Sequence, residues 1–208
     1  MSANADVAPL LAELDRVGYA VMRGEFSDED RELMDARIRA AQAEYQSDRV
    51  FEKFEVFSQI ATCVPDVVGH VAKAICGDGA QLLLSKATVL GRHQPAQDLH
   101  SDSAVWLKQP FSCDSPVVVA HLLTSNCRQE DGATRFVAGS HRLAREPTPT
   151  EQVTVATRVV ETAAGDVLFW LGSTWHARGQ RVTKGDRLSA ILVFGSKRIP
   201  KRPRTFGG

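Results

Sequence analysis

A chain of 208 residues, 43% of them hydrophobic, is long enough for one domain with a full core and too short for two ordinary domains and a linker. Its 25 basic and 25 acidic side chains cancel, so no global field recruits nucleic acid or an anionic membrane surface, and a small-molecule partner is the expectation. Cys63, Cys76, Cys113 and Cys127 are scattered without a Cys-x-x-Cys pair, which argues against a zinc ribbon and a disulfide framework. No apolar run approaches the roughly twenty residues of a membrane span, and Met1-Ser2-Ala3-Asn4-Ala5-Asp6 lacks the basic and apolar regions of a signal peptide, so a reducing cytoplasm is the expected compartment.

Val7, Leu10, Leu11 and Leu14 recur at helical spacing and Gly18 supplies a stop, which predicts a helix over 6–17. Tyr19-Ala20-Val21-Met22 reads as a short strand ended by Arg23-Gly24. Ser27-Asp28-Glu29-Asp30 has the form of a capping box opening a helix to about Tyr45, with Leu33, Met34, Ile38 and Ala41 on one apolar stripe. A third helix is predicted over 66–75, with Pro65 at its start and Cys76-Gly77-Asp78-Gly79 ending it. Residues 1–80 are thus a mainly helical scaffold. From 81 the texture changes to strand-like runs at 81–90, 116–123, 134–137, 153–160, 166–171 and 187–194. Helices followed by many strands predict an α+β chain of one domain, whose 81–196 part is an antiparallel sandwich or barrel. The tail, 197–208, is basic and broken by proline; it reads as solvated, or as a contact for an anionic substrate such as a phosphate-bearing thioester.

The chemistry centres on His100-Ser101-Asp102. On an extended strand a histidine and an aspartate two apart emerge on the same side and can grip one ion. Two histidines and one carboxylate on one face are the usual holders of non-heme Fe(II), so a third ligand is needed. His176 has the most suitable setting: Gly165-Asp166 makes a turn, 167–171 a strand, and Gly172-Ser173-Thr174-Trp175-His176 ends it at the mouth of a sandwich. Taken singly, an ordinary hydrogen-bonded histidine is the commoner case. Eleven residues on, Arg187 begins an apolar strand with Ser189 on the same face; a guanidinium there calls for an anion, and a carboxylate fits its planar fork. Considered alone, Arg187 also reads as an exposed arginine at a strand entrance.

Together these residues, with the stretch Glu130 to Arg142 and Gly165-Asp166-Val167-Leu168-Phe169, resemble the phytanoyl-CoA dioxygenase-like Fe(II)/2-oxoglutarate oxygenases from Gly18 onward. The resemblance implies a double-stranded β-helix (jelly-roll, cupin-like) core with N-terminal helices packed on one sheet. It implies Fe(II) held by His100, Asp102 and His176, and 2-oxoglutarate bound by Arg187 and Ser189, with His121 and Lys86 as further candidates. It also implies O2 as oxidant, with release of succinate and CO2. The carboxylate of Asp102 favours hydroxylation, desaturation or cyclisation over halogenation, since related halogenases carry a small residue there. Trp106 and Phe111 are candidates for an apolar substrate pocket, and the loops 43–60, 103–115 and 143–153 for substrate selection. The chain departs from the family after the distal histidine, reading His176-Ala177-Arg178-Gly179-Gln180-Arg181 where a Ser or Gly pair and then Asn are usual. Gly139-Ser140-His141 reads as a turn, without a metal role for His141. A metal-dependent jelly-roll dioxygenase needing no 2-oxoglutarate and a non-catalytic jelly-roll binding protein are the rival readings; whether the chain is a monomer or a homodimer is left open.

Overall fold

The structure, a computed structural model, describes residues 6–43, 51–54, 56–111 and 116–201. Its elements in chain order are α1 (Ala8–Val17), β1 (Tyr19–Met22), α2 (Asp28–Ala43), β2 (Phe51–Phe54), α3 (Phe57–Ile60), α4 (Asp66–Cys76), β3 (Gln81–Leu90), β4 (Val117–Leu123), β5 (Thr134–Phe136), α5 (Pro149–Thr154), β6 (Arg158–Val160), β7 (Val167–Leu171), β8 (His176–Arg178) and β9 (Arg187–Gly195). The stop after α1 is physical: Gly18 takes a φ of 93° and its N–H bonds to Leu14 O. A Cβ at Gly18 would lie 2.5 Å from Thr174 Oγ1, so both conformation and space reserve the position for glycine. Ser27 Oγ accepts from Asp30 N at 3.0 Å and caps α2. Within α2 Met34 and Ile38 are buried, whereas Leu33 is 39% exposed and leaves the predicted stripe. The predicted helix end at Tyr45 lies outside the described residues.

The strands form two antiparallel sheets, one of six strands in the order β1-β7-β4-β9-β3-β2 and one of three in the order β6-β5-β8. This is the jelly-roll core of an α+β fold. Period-two alternation divides the large sheet between two environments. Ala87 and Val89 of β3, Val118, Ala120 and Leu122 of β4, Val167 and Phe169 of β7, and Leu188, Ala190 and Leu192 of β9 pack with α1, α2 and α4 in one apolar cluster. The opposite face turns toward the small sheet, where Tyr19, Val119, Leu168 and Trp170 meet Phe136 of β5. A cavity opens beside this second cluster.

Four predicted elements differ. Residues 153–160 are not one strand: 149–154 form α5 and only Arg158–Val160 is extended, because a capping box between Thr148 and Glu151 with Pro149 at the first turn outweighs the β-branched run. The span 43–60 contains β2 and α3 rather than a loop throughout. His176 opens a strand of its own, β8, rather than ending β7. His100 and Asp102 do not share a regular strand; His100 lies in an isolated bridge and Asp102 starts a 3-10 turn, 102–105. The beginning of the basic tail is anchored: Ile199 is buried, and Gln81 Nε2 donates to its carbonyl at 2.6 Å. No helix among the described residues is long and apolar enough to cross a membrane.

Candidate active site

Strand pairing assembles the cavity. In β3 and β9 Lys86 lies opposite Ile191, Thr88 opposite Ser189 and Leu90 opposite Arg187. In β4 His121 lies on the other side of Ile191 and opposite Leu168 of β7. Lys86, Thr88, His121, Arg187, Ser189, Ile191 and Val193 therefore form a half-polar wall, faced by Thr134, His176 and Arg178 of the small sheet; the cavity encloses about 260 Å3. His100, Asp102 and Trp106 also line it.

His100, Asp102 and His176 offer ligand atoms that all lie within 4.8 Å of one another. The bridge that replaces the predicted strand achieves this: His100 N donates to His176 O and His176 N to His100 O, both at 3.0 Å, so the two histidines face each other across adjacent backbones. Their rings are 4.5 Å apart. Each ring is also oriented. His100 Nδ1 contacts Asp98 O and His176 Nδ1 contacts Thr174 O, each at 2.9 Å. A carbonyl only accepts, so Nδ1 is the donor in both rings. Burial, opposed by Asp102 but reinforced by His100, pushes the His176 pKa down and keeps this ring neutral, so its Nε2 carries a lone pair. Asp102 Oδ2 accepts from Trp170 Nε1 at 2.8 Å and stands 3.4 Å from His176 Nε2. Two imidazoles and one carboxylate with a fixing hydrogen bond are the donor set that suits Fe(II) in non-heme oxygenases.

On the β9 wall, Arg187 is buried and its Nη1 donates to Gly132 O at 2.9 Å, Cys127 Sγ at 3.0 Å and Asp131 O at 3.3 Å. Thr88 Oγ1, both ring nitrogens of His121, Arg187 Nε and Ser189 Oγ are buried without a hydrogen-bond partner among the described residues. Five orphaned polar atoms on one wall fit a polar anionic ligand such as a carboxylate. Burial, aided by the charges of Arg187 and Lys86, pushes the His121 pKa far down, so this ring is neutral and can donate one hydrogen bond.

The cavity thus brings together His100, Asp102, His176, Arg187, Ser189, His121, Lys86 and Trp106 from the sequence reading. Phe111 is buried but does not line it; its N–H bonds to Ala144 O at 2.7 Å. His141 Nε2 contacts Asp15 O at 3.1 Å and is not part of the His100, Asp102 and His176 cluster. Sequence reasoning passed over Thr88 and Trp170. Period two was the available signal for both, since Thr88 follows Lys86 by two and Trp170 follows Leu168 by two.

Comparison with known proteins bears on the family and the fold. The sequence profile of the family described as "Phytanoyl-CoA dioxygenase (PhyH)" matches residues 14–189. Dioxygenase cdmA of Talaromyces verruculosus is 34% identical over 108 residues, 49% of this chain and 35% of that protein. Dioxygenase olcK of Penicillium canescens is 32% identical over 112 residues, 50% of this chain and 35% of that protein. The matches therefore span about a third of these relatives' length. Among solved structures, HygX from Streptomyces hygroscopicus with nickel and 2-oxoglutarate bound superposes with a TM-score of 0.75 at 19% identity, covering 91% of this chain and 87% of HygX. The epimerase SnoN in complex with Fe3+, alpha ketoglutarate and nogalamycin RO gives 0.76 at 19% identity, covering 99% of this chain and 93% of SnoN. At such identities the likeness is one of fold.

Proposed function

The chain belongs to the phytanoyl-CoA dioxygenase family, and from that premise we propose that it is a non-heme Fe(II)/2-oxoglutarate-dependent oxygenase that oxidises a small-molecule substrate of the secondary-metabolite kind. In this reading 1–208 acts as one catalytic domain. The observation that carries it is the pairing, in one cavity, of the His100, Asp102 and His176 cluster with the orphaned donors around Arg187. His100, Asp102 and His176 would hold the iron. When bound, iron and 2-oxoglutarate would supply the activation of O2 and two of the four electrons its reduction needs, with 2-oxoglutarate oxidised to succinate and CO2 and the substrate giving the other two.

The chain's own residues do the placing. Arg187, already pinned by Gly132 and Cys127, presents a fixed guanidinium to the distal carboxylate of 2-oxoglutarate, and the hydroxyls of Ser189 and Thr88 stand beside it as donors. The neutral His121 ring adds a donor without adding charge, and Lys86 adds a cation on the same wall. Trp170 occupies Asp102 Oδ2 and limits how the carboxylate can turn. With about 260 Å3 the cavity is smaller than the roughly 300–1,000 Å3 that engulfs a drug-sized ligand, so a larger metabolite would insert one edge and leave the rest outside.

The test is direct. Anaerobic addition of Fe(II) and 2-oxoglutarate to the protein is expected to give a visible charge-transfer band, and admission of O2 to yield succinate. Asp102→Ala is expected to abolish both. Native protein that gives neither band nor succinate, or an Asp102→Ala variant that retains both, would overturn the proposal.

A further inference from the structure

His100 and Asp102 lie outside regular strands, so something other than a sheet must hold them. On one edge the backbone of His100 is paired with His176. The opposite edge belongs to the preceding residue, Leu99, which is 3% exposed and whose two backbone polar groups need partners. Both are met by one side chain from α5. Leu99 N donates to Gln152 Oε1 at 2.8 Å, and Gln152 Nε2 donates to Leu99 O at 2.7 Å. A primary amide presents the same donor and acceptor pair as a peptide unit, so Gln152 stands where a neighbouring strand would otherwise be. One residue beyond His100, Ser101 N donates to Glu146 Oε2 at 3.3 Å, from the same segment as α5.

This segment is itself braced, and it reaches the second histidine too. Thr148 and Glu151 close a capping box at the start of α5. Arg145 grips Glu151 with two hydrogen bonds of 2.8 Å and lies 4.9 Å above the ring of Trp175. Trp175 Nε1 donates to Arg145 O at 2.6 Å. Trp175 is the residue before His176, as Leu99 is the residue before His100. The segment 145–152 therefore holds the chain immediately ahead of both histidines.

We propose that Gln152 is a positioning residue for the metal centre, fixing the backbone of Leu99 and thereby the distance at which His100 stands from Asp102 and His176. The inference rests on the proposed iron-binding role of that cluster and adds a residue that touches neither metal nor substrate. Positioning of this kind acts on metal affinity by roughly 10- to 100-fold. It does not act on Arg187.

The experiment titrates Fe(II) anaerobically into the apoprotein by calorimetry, with circular dichroism to confirm folding. Gln152→Ala is expected to weaken Fe(II) binding by roughly 10- to 100-fold, while the KM for 2-oxoglutarate at saturating iron stays within about twofold. Gln152→Glu keeps the length and one acceptor but puts a carboxylate against Leu99 O, and is expected to weaken iron binding at least as much. Thr154→Ala, an exposed change on the same helix, is expected to bind Fe(II) as the native protein does. Native Fe(II) affinity in folded Gln152→Ala would overturn the proposal, as would equal weakening in Thr154→Ala. Failure of both Gln152 variants to fold would do so as well, since it would make Gln152 a folding residue. If native protein itself binds no Fe(II), the fault lies in the proposed function instead.

Discussion

The Arg187 guanidinium is divided between the fold and the cavity. Its Nη1 is held by Gly132 O, Cys127 Sγ and Asp131 O, whereas its Nε is buried without a partner among the described residues. Cys127 is suited to that contact because burial, against the pull of Arg187, pushes its pKa up and keeps it a thiol. A planar fork can bond backbone on one side and a ligand carboxylate on another, but a lysine ammonium offers one point and cannot serve both. Arg187→Lys is therefore expected to lose most of a charge-assisted hydrogen bond worth about 1.5–3 kcal/mol, raising the KM for 2-oxoglutarate by roughly 10- to 150-fold. Fe(II) affinity should stay native, because Arg187 is not among the residues of the cluster that would hold the ion. Steady-state kinetics in 2-oxoglutarate read the first quantity and anaerobic calorimetry the second. A native KM would remove Arg187 from the carboxylate site.

Between β7 and β8 the chain turns through Gly172, and here the element rather than any ligand fixes geometry. Gly172 N donates to Val117 O at 2.7 Å and Gly172 O accepts from Ser103 N at 2.8 Å, tying the corner both to β4 and to the turn that begins at Asp102. A Cβ on Gly172 would lie 2.7 Å from Val117 Cβ and 2.9 Å from Ser103 Oγ. Val117 Cβ is attached to a paired strand and cannot move aside, so Gly172→Ala is expected to cost about 1–3 kcal/mol of stability. Val117→Gly in the same chain removes the clashing Cβ, so the double variant should be more stable than the sum of the two single losses; urea unfolding of all four proteins measures the coupling. Strict additivity would show that the corner is not crowded. The contrast between β9 and α5 explains which elements could be read from sequence. β9 is nine residues long and alternates Arg187, Ser189 and Ile191 with Leu188, Ala190 and Leu192, so period two announces both the strand and its polar face. In α5 the β-branched residues of the run around Val153 favour extension, but the Thr148 to Glu151 box, which the sequence reading does not use, decides for a helix. The gathering of His100, Asp102, His176 and Arg187 in one cavity was legible because ligand chemistry restricts residue type and order. Gln152 was not, since it binds only backbone, and a backbone partner leaves no mark on the residue it belongs to. The pairing of His100 with His176 was hidden for the same reason.

At the scale of the whole molecule, a polar cavity buried between two sheets couples folding to pH. His121 is 4% exposed, with Arg187 and Lys86 on its own wall and His176 across from it. Burial first, then the charges of Arg187 and Lys86, depress its folded pKa well below the unfolded value near 6.5. The sign follows from proton counting. Above about pH 6.5 the ring is neutral in both states and contributes no pH dependence. As pH falls below that value the unfolded chain takes up a proton that the folded chain refuses, so stability declines until the folded pKa is reached. For one such histidine the slope approaches about 1.4 kcal/mol per pH unit. His176, depressed by burial, and His141, depressed by partial burial, add to the same decline. The share of His121 can be isolated with His121→Gln, which keeps a polar donor and removes the titration. Urea unfolding of the apoprotein at intervals from pH 7 to pH 5 is expected to give a variant curve shallower than the native one by roughly 1 kcal/mol per pH unit at the acidic end. Parallel curves would mean that His121 is hydrated or charged in the folded protein, and the neutral donor assigned to it beside Arg187 would have to be abandoned.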